Sequence, residues 1–443
     1  MYDIVICGAG VAGCSFARYT ASKGLKVLLL DKKPKEKLGH DWWDAVTQEV
    51  FKDTQTAPPL PPERLNYGAS IYTSPDGKTR MQVLSGKKFS IDRKLLAKRL
   101  LKIALEAGTE FQDKTKVLKP IVSEDRIRGV YIQDRNKEER DVSARLIVDA
   151  TGIDAILRKQ IPFESDFEKE IRREDTFILY REIRETTTSR NERIVRFGHH
   201  KGVSWISFRQ KGLVDILAGT FNLPNHDNPK SIVKEYLEEY KEDIGDKIIR
   251  AGYGGIIPVR RCLDSFIANN FLLMGDSASQ INPIDGSGVA ASMYAGYYAA
   301  FSVVQAFKKN KPLDKKTLWH YNFTYKTKIG SDFAALDIIR LFLMGRNDQE
   351  QDLNYLFKRG IIEARDIQRS NEQKSAFSTL KKLLKGIDRI SLLKNLRKTI
   401  RLSKEAAAVY RDYPPEYDPS KFADWQKKLR AIYDEIPRPL EGR

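Results

Sequence analysis

Tyr2-Asp3-Ile4-Val5-Ile6-Cys7-Gly8-Ala9-Gly10-Val11-Ala12-Gly13 reads as a short apolar strand running into a glycine turn. Gly8 to Gly13 matches G-x-G-x-x-G. Cys14 to Lys23 reads as a helix that Gly24 ends, and Leu25 to Leu30 as a second buried strand with Asp31 at its end. Strand, tight turn, helix, strand and acid, in that order, are the context a dinucleotide fingerprint needs. Gly8 allows the turn, Gly10 lets backbone approach a pyrophosphate, and Gly13 lets helix pack closely on strand. The helix N-terminus offers free N–H groups to phosphate, and Asp31 can accept a hydrogen bond from a ribose hydroxyl.

A second signal stands far along the chain. Asn270 to Met274 is another buried strand, followed by Gly275-Asp276-Ser277-Ala278-Ser279-Gln280-Ile281-Asn282-Pro283-Ile284-Asp285-Gly286-Ser287-Gly288-Val289. An acid at a strand end can bind a sugar-alcohol hydroxyl. The glycine-rich loop then opens a long helix whose N-terminus stabilises negative charge. Gly286 to Phe307 carries no charge and is long enough to cross a bilayer, but Ser287, Ser292, Gly296, Gln305 and three tyrosines argue for a buried helix.

Between the two signals the pattern alternates. Gly39-His40-Asp41-Trp42-Trp43-Asp44 reads as a loop, either covering a domain seam or lying against a ring system or substrate. Gly68 to Thr73 and Lys78 to Leu84 read as strands around the turn Pro75-Asp76-Gly77. Ile91 to Ala107 returns to helical period. Phe111 to Val122, Ile127 to Gln133 and Val142 to Ala150 are strand candidates, as are Thr176 to Glu185, Arg193 to Phe197, Val203 to Phe208 and Leu213 to Phe221. Ser231 to Tyr240 reads as an amphipathic helix. Trp205 and Phe208 are either sheet core or the wall of a pocket.

Net charge is +18 over 443 residues. From Lys308 onward there are 30 Lys and Arg against 18 Asp and Glu, so +12 of the excess lies in the last third. This suits either an anionic surface, membrane headgroups or nucleic acid, or simply a well-solvated helical tail. Nucleic acid is set aside, because no recognised binding motif accompanies the charge. Ala376 to Lys404 holds nine basic residues and one acid, with Phe377, Leu380, Leu384 and Ile387 on one helical face and Ile390, Leu393 and Ile400 continuing it. Such a helix either lies in a bilayer interface or caps a domain with its apolar face inward. Three cysteines, Cys7, Cys14 and Cys262, form neither a metal spacing nor a disulfide framework. With no leader pattern ahead of the first strand, the expected setting is cytoplasmic, peripheral to a membrane.

Taken together, the two signals resemble the glutathione-reductase-type FAD fold of the group that includes the p-hydroxybenzoate hydroxylases. The resemblance implies that Gly8, Gly10, Ala12, Gly13 and Asp31 hold the ADP half of FAD. It implies Asp276 at the ribityl chain, and Pro283, Gly286, Gly288 and Val289 at the flavin. Asp92-Arg93 opening a helix adds Arg93, and Val117 sits where the family holds adenine with backbone. Asp149-Ala150-Thr151-Gly152 through Arg158 resembles a further motif of the group, with Thr151 where many members carry Asp. Within the group, Gly254-Gly255-Ile256-Ile257-Pro258 and Gly202 to Phe208 are similar to segments of the geranylgeranyl reductase family. The second segment lacks that family's final proline, and His40-Asp41-Trp42-Trp43 replaces its Cys-Gly loop.

The resemblance implies an α/β fold: a Rossmann-like FAD domain (1–56, 86–160 and 255–310), an interleaved antiparallel sheet domain for substrate (57–85 and 161–254), and a helical, basic region (311–443). It implies hydride transfer to a carbon–carbon double bond of a prenyl lipid, with NADPH or a ferredoxin-type protein as electron donor. Trp43, Trp205 and Phe208 are candidate substrate contacts, and His40 and Asp41 candidate proton donors from their chemistry. A monooxygenase or halogenase on the same fold is the rival reading. Of the halogenase Trp-x-Trp-x-Ile-Pro motif, Trp205 is the one reminder. A membrane-associated FAD-binding protein without turnover is the third.

Overall fold

The computed structural model describes residues 1–65, 68–83, 88–209, 212–224, 226–344, 348–362 and 389–436. β1 (Tyr2–Cys7), α1 (Val11–Ala21) and β2 (Val27–Leu30) build the expected opening unit. β1 and β2 pair in parallel, with Ile4 opposite Val27 and Cys7 opposite Leu30. Ile4 to Cys7 and all of β2 are buried, because a parallel sheet is covered on both faces.

The chain then makes β3 (Trp43–Thr47), α2 (Glu49–Asp53), β4 (Arg64–Leu65), β5 (Ala69–Thr73), β6 (Arg80–Val83) and β7 (Lys88–Asp92). β3, β7 and β4 form a small antiparallel sheet, so the loop expected through Asp44 already becomes strand at Trp43. Asp92 caps the next helix, α3 (Arg93–Glu106), its Oδ1 accepting from the backbone N–H of Lys94 and Leu95. β8 (Glu110–Gln112), β9 (Lys116–Ser123), β10 (Arg126–Gln133) and β11 (Glu139–Asp149) follow. β11 returns beside β1 in parallel, ending with Cys7 opposite Asp149, and leads into the short helix α4 (Ile156–Gln160).

The second sheet and the helix on it come from β12 (Thr176–Thr186), β13 (Glu192–Phe197), β14 (Val203–Arg209), β15 (Leu213–Phe221), α5 (Pro229–Glu239) and β16 (Ile244–Pro258). The sheet's strand order is β16-β12-β15-β14-β13-β5-β6. β16 stays paired with β12 through Pro258, beyond the division drawn between 254 and 255. Period-two alternation gives the sheet two apolar faces. On one, Ile194, Ile206, Phe208, Val214 and Ile216 pack under Ile232, Val233 and Tyr236 of α5. On the other, Val195, Val203, Trp205 and Leu217 form a separate cluster with Phe177 and Phe221.

β17 (Ile267–Ala268) and β18 (Phe271–Leu273) complete the first sheet, whose order is β17-β18-β11-β1-β2-β8, with β10 and β9 extending β11. The uncharged stretch after Gly286 forms α6 (Val289–Lys308), which packs along α1. No helix among the described residues is long and apolar enough to cross a membrane. The remainder is helical: α7 (Lys315–Tyr325), α8 (Ser331–Met344), α9 (Gln349–Lys358), α10 (Ile390–Arg411) and α11 (Pro419–Asp434). Phe377, Leu380, Leu384 and Ile387 of the basic stretch lie outside the described residues. In its described continuation, Leu392, Leu393 and Leu396 of α10 pack with Leu353, Leu356 and Ile361 and Leu402 joins the main core, so that face points inward, while Ile390 at the start of the helix is exposed.

Candidate active site

One cavity of about 670 Å³ joins the two glycine-rich loops to the inner face of the second sheet. That is within the usual span for cofactor sites, roughly 300–1,000 Å³. Its floor is the Gly8–Gly13 turn. A Cβ on Gly13 would stand 2.0 Å from the carbonyl oxygen of Gly8, whereas a Cβ on Gly10 would meet nothing within 4 Å. Gly13 is therefore fixed by packing of α1 on the turn, and Gly10 by the open space in front of it. Asp31 braces the turn: Oδ2 accepts from the backbone N–H of Ala9 at 2.8 Å, and Oδ1 from that of Lys33 at 2.8 Å.

The ends of β11 and β18 meet at the cavity. Asp149 closes the turn after β11, its Oδ1 accepting from Thr151 N and Oγ1, and its Oδ2 from Leu157 N and Arg158 N. Thr151 thus serves the turn itself. Asp276 follows β18, and among the described residues no group donates a hydrogen bond to its carboxylate. Burial raises its pKa, against the opposing pull of Arg93. A cavity-lining acid without a protein donor suits a polyhydroxylated ligand. Gly286 lies against β16, where a Cβ would come 2.3 Å from Ile257 Cδ1. This brings the Gly-Gly-x-Ile-Pro run and the Asn-Pro loop into contact, a proximity their sequence positions do not disclose.

Gly8, Gly10, Ala12, Gly13, Asp31, Arg93, Val117, Asp276, Gly286, Gly288 and Val289 all line the cavity, as do His40, Trp43 and Trp205. Three candidates do not. Pro283 is buried beneath its loop. Phe208 faces α5, since a spacing of three along a strand puts it on the opposite side from Trp205. Asp41 turns outward, paired with Lys94 Nζ at 3.0 Å.

His40 sits at the open cavity rim. Arg93 foremost, then partial desolvation and the nearby Lys33 and Arg181, hold its pKa below the ordinary imidazole value. A neutral imidazole is a poor acid, so His40 is better suited to accept a hydrogen bond than to deliver a proton. Cys7 and Cys14 are buried behind the turn, and burial pushes the Cys14 thiol up to about 12. Neither is a reactive thiolate.

The sequence reading passed over the arginines of the inner sheet face. Arg181, Arg193 and Arg209 line the cavity among Trp43, Trp205 and Leu217. Arg181 is buried, its Nε donating to Asp215 Oδ1 at 2.7 Å and its Nη2 to the Trp43 carbonyl at 2.6 Å. Arg193 lies 4.2 Å from the centre of the Trp205 ring, and Arg209 lies 5.5 Å from that of Trp43. Their only sequence signal was inward register: Arg193 shares parity with Val195, and Arg209 with Val203 and Trp205.

Comparison with known proteins bears on what this cavity holds. A family model described as FAD binding domain matches residues 1–310. The chain is 29% identical over 453 residues to a digeranylgeranylglycerophospholipid reductase of Sulfolobus acidocaldarius, covering 99% of each protein. Its fold is similar to that of a geranylgeranyl bacteriochlorophyll reductase-like protein of Thermoplasma acidophilum, with a TM-score of 0.72, 19% identity and coverage of 90% of this chain and 99% of that one. A flavin-dependent brominase shares the fold more distantly, with a TM-score of 0.62, 15% identity and coverage of 90% and 99%. The open space at Gly10 and the undonated carboxylate of Asp276 are compatible with a dinucleotide's pyrophosphate and the sugar-alcohol hydroxyls next to it, and the chain belongs to the FAD-binding domain family as an FAD-dependent oxidoreductase.

Proposed function

We propose that the protein reduces carbon–carbon double bonds in the isoprenoid chains of an anionic glycerolipid. The observation that carries this reading is the shared cavity: the two glycine-rich loops and a wall of apolar, aromatic and arginine side chains line the same space. Full-length similarity to a digeranylgeranylglycerophospholipid reductase supports it.

When bound and reduced, FAD supplies the hydride. The chain's own residues bind, orient and exclude water. Gly10 would leave room for the pyrophosphate at the positive end of α1, and Asp276 would accept from the ribityl hydroxyls. The N-terminus of α6 after Gly288 faces the cavity with free N–H groups and would steady negative charge there. Tyr72, Val195, Val203, Trp205 and Leu217 offer an apolar wall to a prenyl chain, while Arg193 and Arg209, the latter held by Asp215 Oδ2 at 3.6 Å and by Ser90, make that wall positive where a phosphate headgroup would approach. The reading brings two partners with it: an electron donor of NADPH or ferredoxin type, and an anionic lipid surface met by the exposed Lys394, Arg397 and Lys404 of α10.

The test is anaerobic incubation of the flavin-loaded protein with dithionite and a digeranylgeranyl glycerophospholipid, followed by mass spectrometry. Addition of two hydrogens per reduced double bond is expected. Absence of any saturated product across prenyl lipids, with oxygen-dependent hydroxylation or halogenation of an aromatic substrate instead, overturns the reading.

A further inference from the structure

The turn joining β13 to β14, at the rim of the second sheet, carries a side-chain cluster that the cavity does not use. His200 and Lys201 both lie in the left-handed backbone region, with φ of 51° and 54°. Non-glycine residues seldom hold that conformation, and it persists where the surroundings demand it. The turn brings the imidazoles of His199 and His200 together, their ring centres 4.4 Å apart. Both Nε2 atoms converge on one carboxylate from α5: His199 Nε2 is 3.4 Å from Glu235 Oε2, and His200 Nε2 is 3.0 Å from Glu235 Oε1. One ligand atom from each of the three residues falls within 4.8 Å of the others.

The outer nitrogens are also held. His199 Nδ1 lies 3.2 Å from Ser204 Oγ, which in turn lies 3.0 Å from the hydroxyl of Tyr236. His200 Nδ1 lies 2.6 Å from Asp227 Oδ2. An imidazole held at Nδ1 by a hydroxyl or carboxylate, with Nε2 turned inward, is the usual second layer around a metal-binding histidine. Tetrahedral coordination with bonds of about 2.0–2.2 Å spaces its ligands by roughly 3.3–3.6 Å, close to the 3.4 Å and 3.0 Å that separate the two Nε2 atoms from the Glu235 carboxylate.

We propose that His199 Nε2, His200 Nε2 and the Glu235 carboxylate form a site for one divalent transition metal of the zinc class, with a fourth position open to water. Two imidazoles and one carboxylate favour zinc, cobalt or nickel over calcium or magnesium. Glu235 is half-exposed, which gives the ion a way in, and His199 is buried, which anchors it. The site pins the β13–β14 turn to α5. Phe197 and Val203, flanking that turn, line the cavity, so the metal stiffens the substrate wall without touching it.

The test uses untagged, full-length, flavin-loaded protein stripped with chelator and titrated with Co²⁺ alone, then Zn²⁺ alone. One Co²⁺ per chain with the intense visible d–d bands of tetrahedral coordination is expected, displaced by Zn²⁺, with a rise in thermal midpoint. Glu235→Gln and His199→Gln each remove the bands, Asp227→Asn weakens binding by about 10–100-fold, and His320→Gln on α7 leaves it unchanged. Flavin absorbance reports that each variant is folded, and if His199→Gln loses flavin, Glu235→Gln decides. Co²⁺ uptake by the flavin-loaded wild type no greater than by Glu235→Gln overturns the site and leaves His200 as an ion-pair partner of Asp227 and Glu235.

Discussion

The guanidinium of Arg158 donates through Nη1 to the carbonyl oxygen of Ser277 at 2.7 Å. Ser277 Oγ donates to the carbonyl of Asp149 at 2.7 Å, and Asp149 accepts from the backbone of Arg158. The turn after β11 and the turn bearing Asp276 are thus tied in a closed loop, and Arg158 is fully buried. Arg158→Met is expected to leave the chain folded but let the Asp276 turn drift. A charged hydrogen bond of this kind contributes roughly 1.5–3 kcal/mol, so flavin affinity should fall by about 10-fold or more, read by fluorescence of released flavin. Unchanged flavin affinity would show that the tie does not position Asp276.

Gly10→Ala and Gly13→Ala should fail in different ways. The Gly13 change drives a methyl into the Gly8 carbonyl and should cost about 1–3 kcal/mol of stability, as overpacking does. The Gly10 change meets open space, so thermal stability of the flavin-free protein should hold within about 0.5 kcal/mol while flavin binding is lost. Comparing melting of the two flavin-free variants separates the cases.

Trp205 and Phe208 give a second contrast. Trp205→Phe alters the cavity wall, and KM for the prenyl lipid should rise several-fold with kcat little changed. Phe208→Ala opens a hole under α5 and should cost about 3–5 kcal/mol of stability, while KM of the folded fraction stays the same. Steady-state kinetics beside denaturant unfolding checks both.

Glu168 governs an acid limb. Burial alone would raise its pKa, but Arg260 at 2.7 Å and Arg261 at 3.7 Å override burial and hold it well below the usual range. Its folded pKa lies below the unfolded value of about 4.3. Its contribution is therefore fully present above that value and is lost as pH falls towards the folded pKa. Glu168→Gln should lower stability at neutral pH by roughly 1–3 kcal/mol and flatten the loss below about pH 5, seen in urea melts across that window.

The opening unit and the Gly275–Gly288 loop were legible because each is local: a strand, a turn and a helix set by a few adjacent residues. The four strands from Thr176 to Phe221 were legible for the same reason. Which face of that sheet meets the cofactor was harder. The three-residue spacing of Trp205 and Phe208 already places them on opposite sides, but only α5 docking on one side says which is which. Arg181, Arg193 and Arg209 escaped because an arginine in a strand ordinarily marks a solvated face. The burial of Arg181 depends on Asp215 and the Trp43 carbonyl, partners far away in the chain. Trp43 reads as loop in the sequence, since its pairing with Asp92 across β3 and β7 is not written nearby.

The near-contact of Gly286 with Ile257 makes one mechanical part of two chemical ones. Ile257 and Gly286 both line the cavity, so a ligand that displaced the end of β16 would press directly on the glycine turn, and the two walls would shift as one rather than separately.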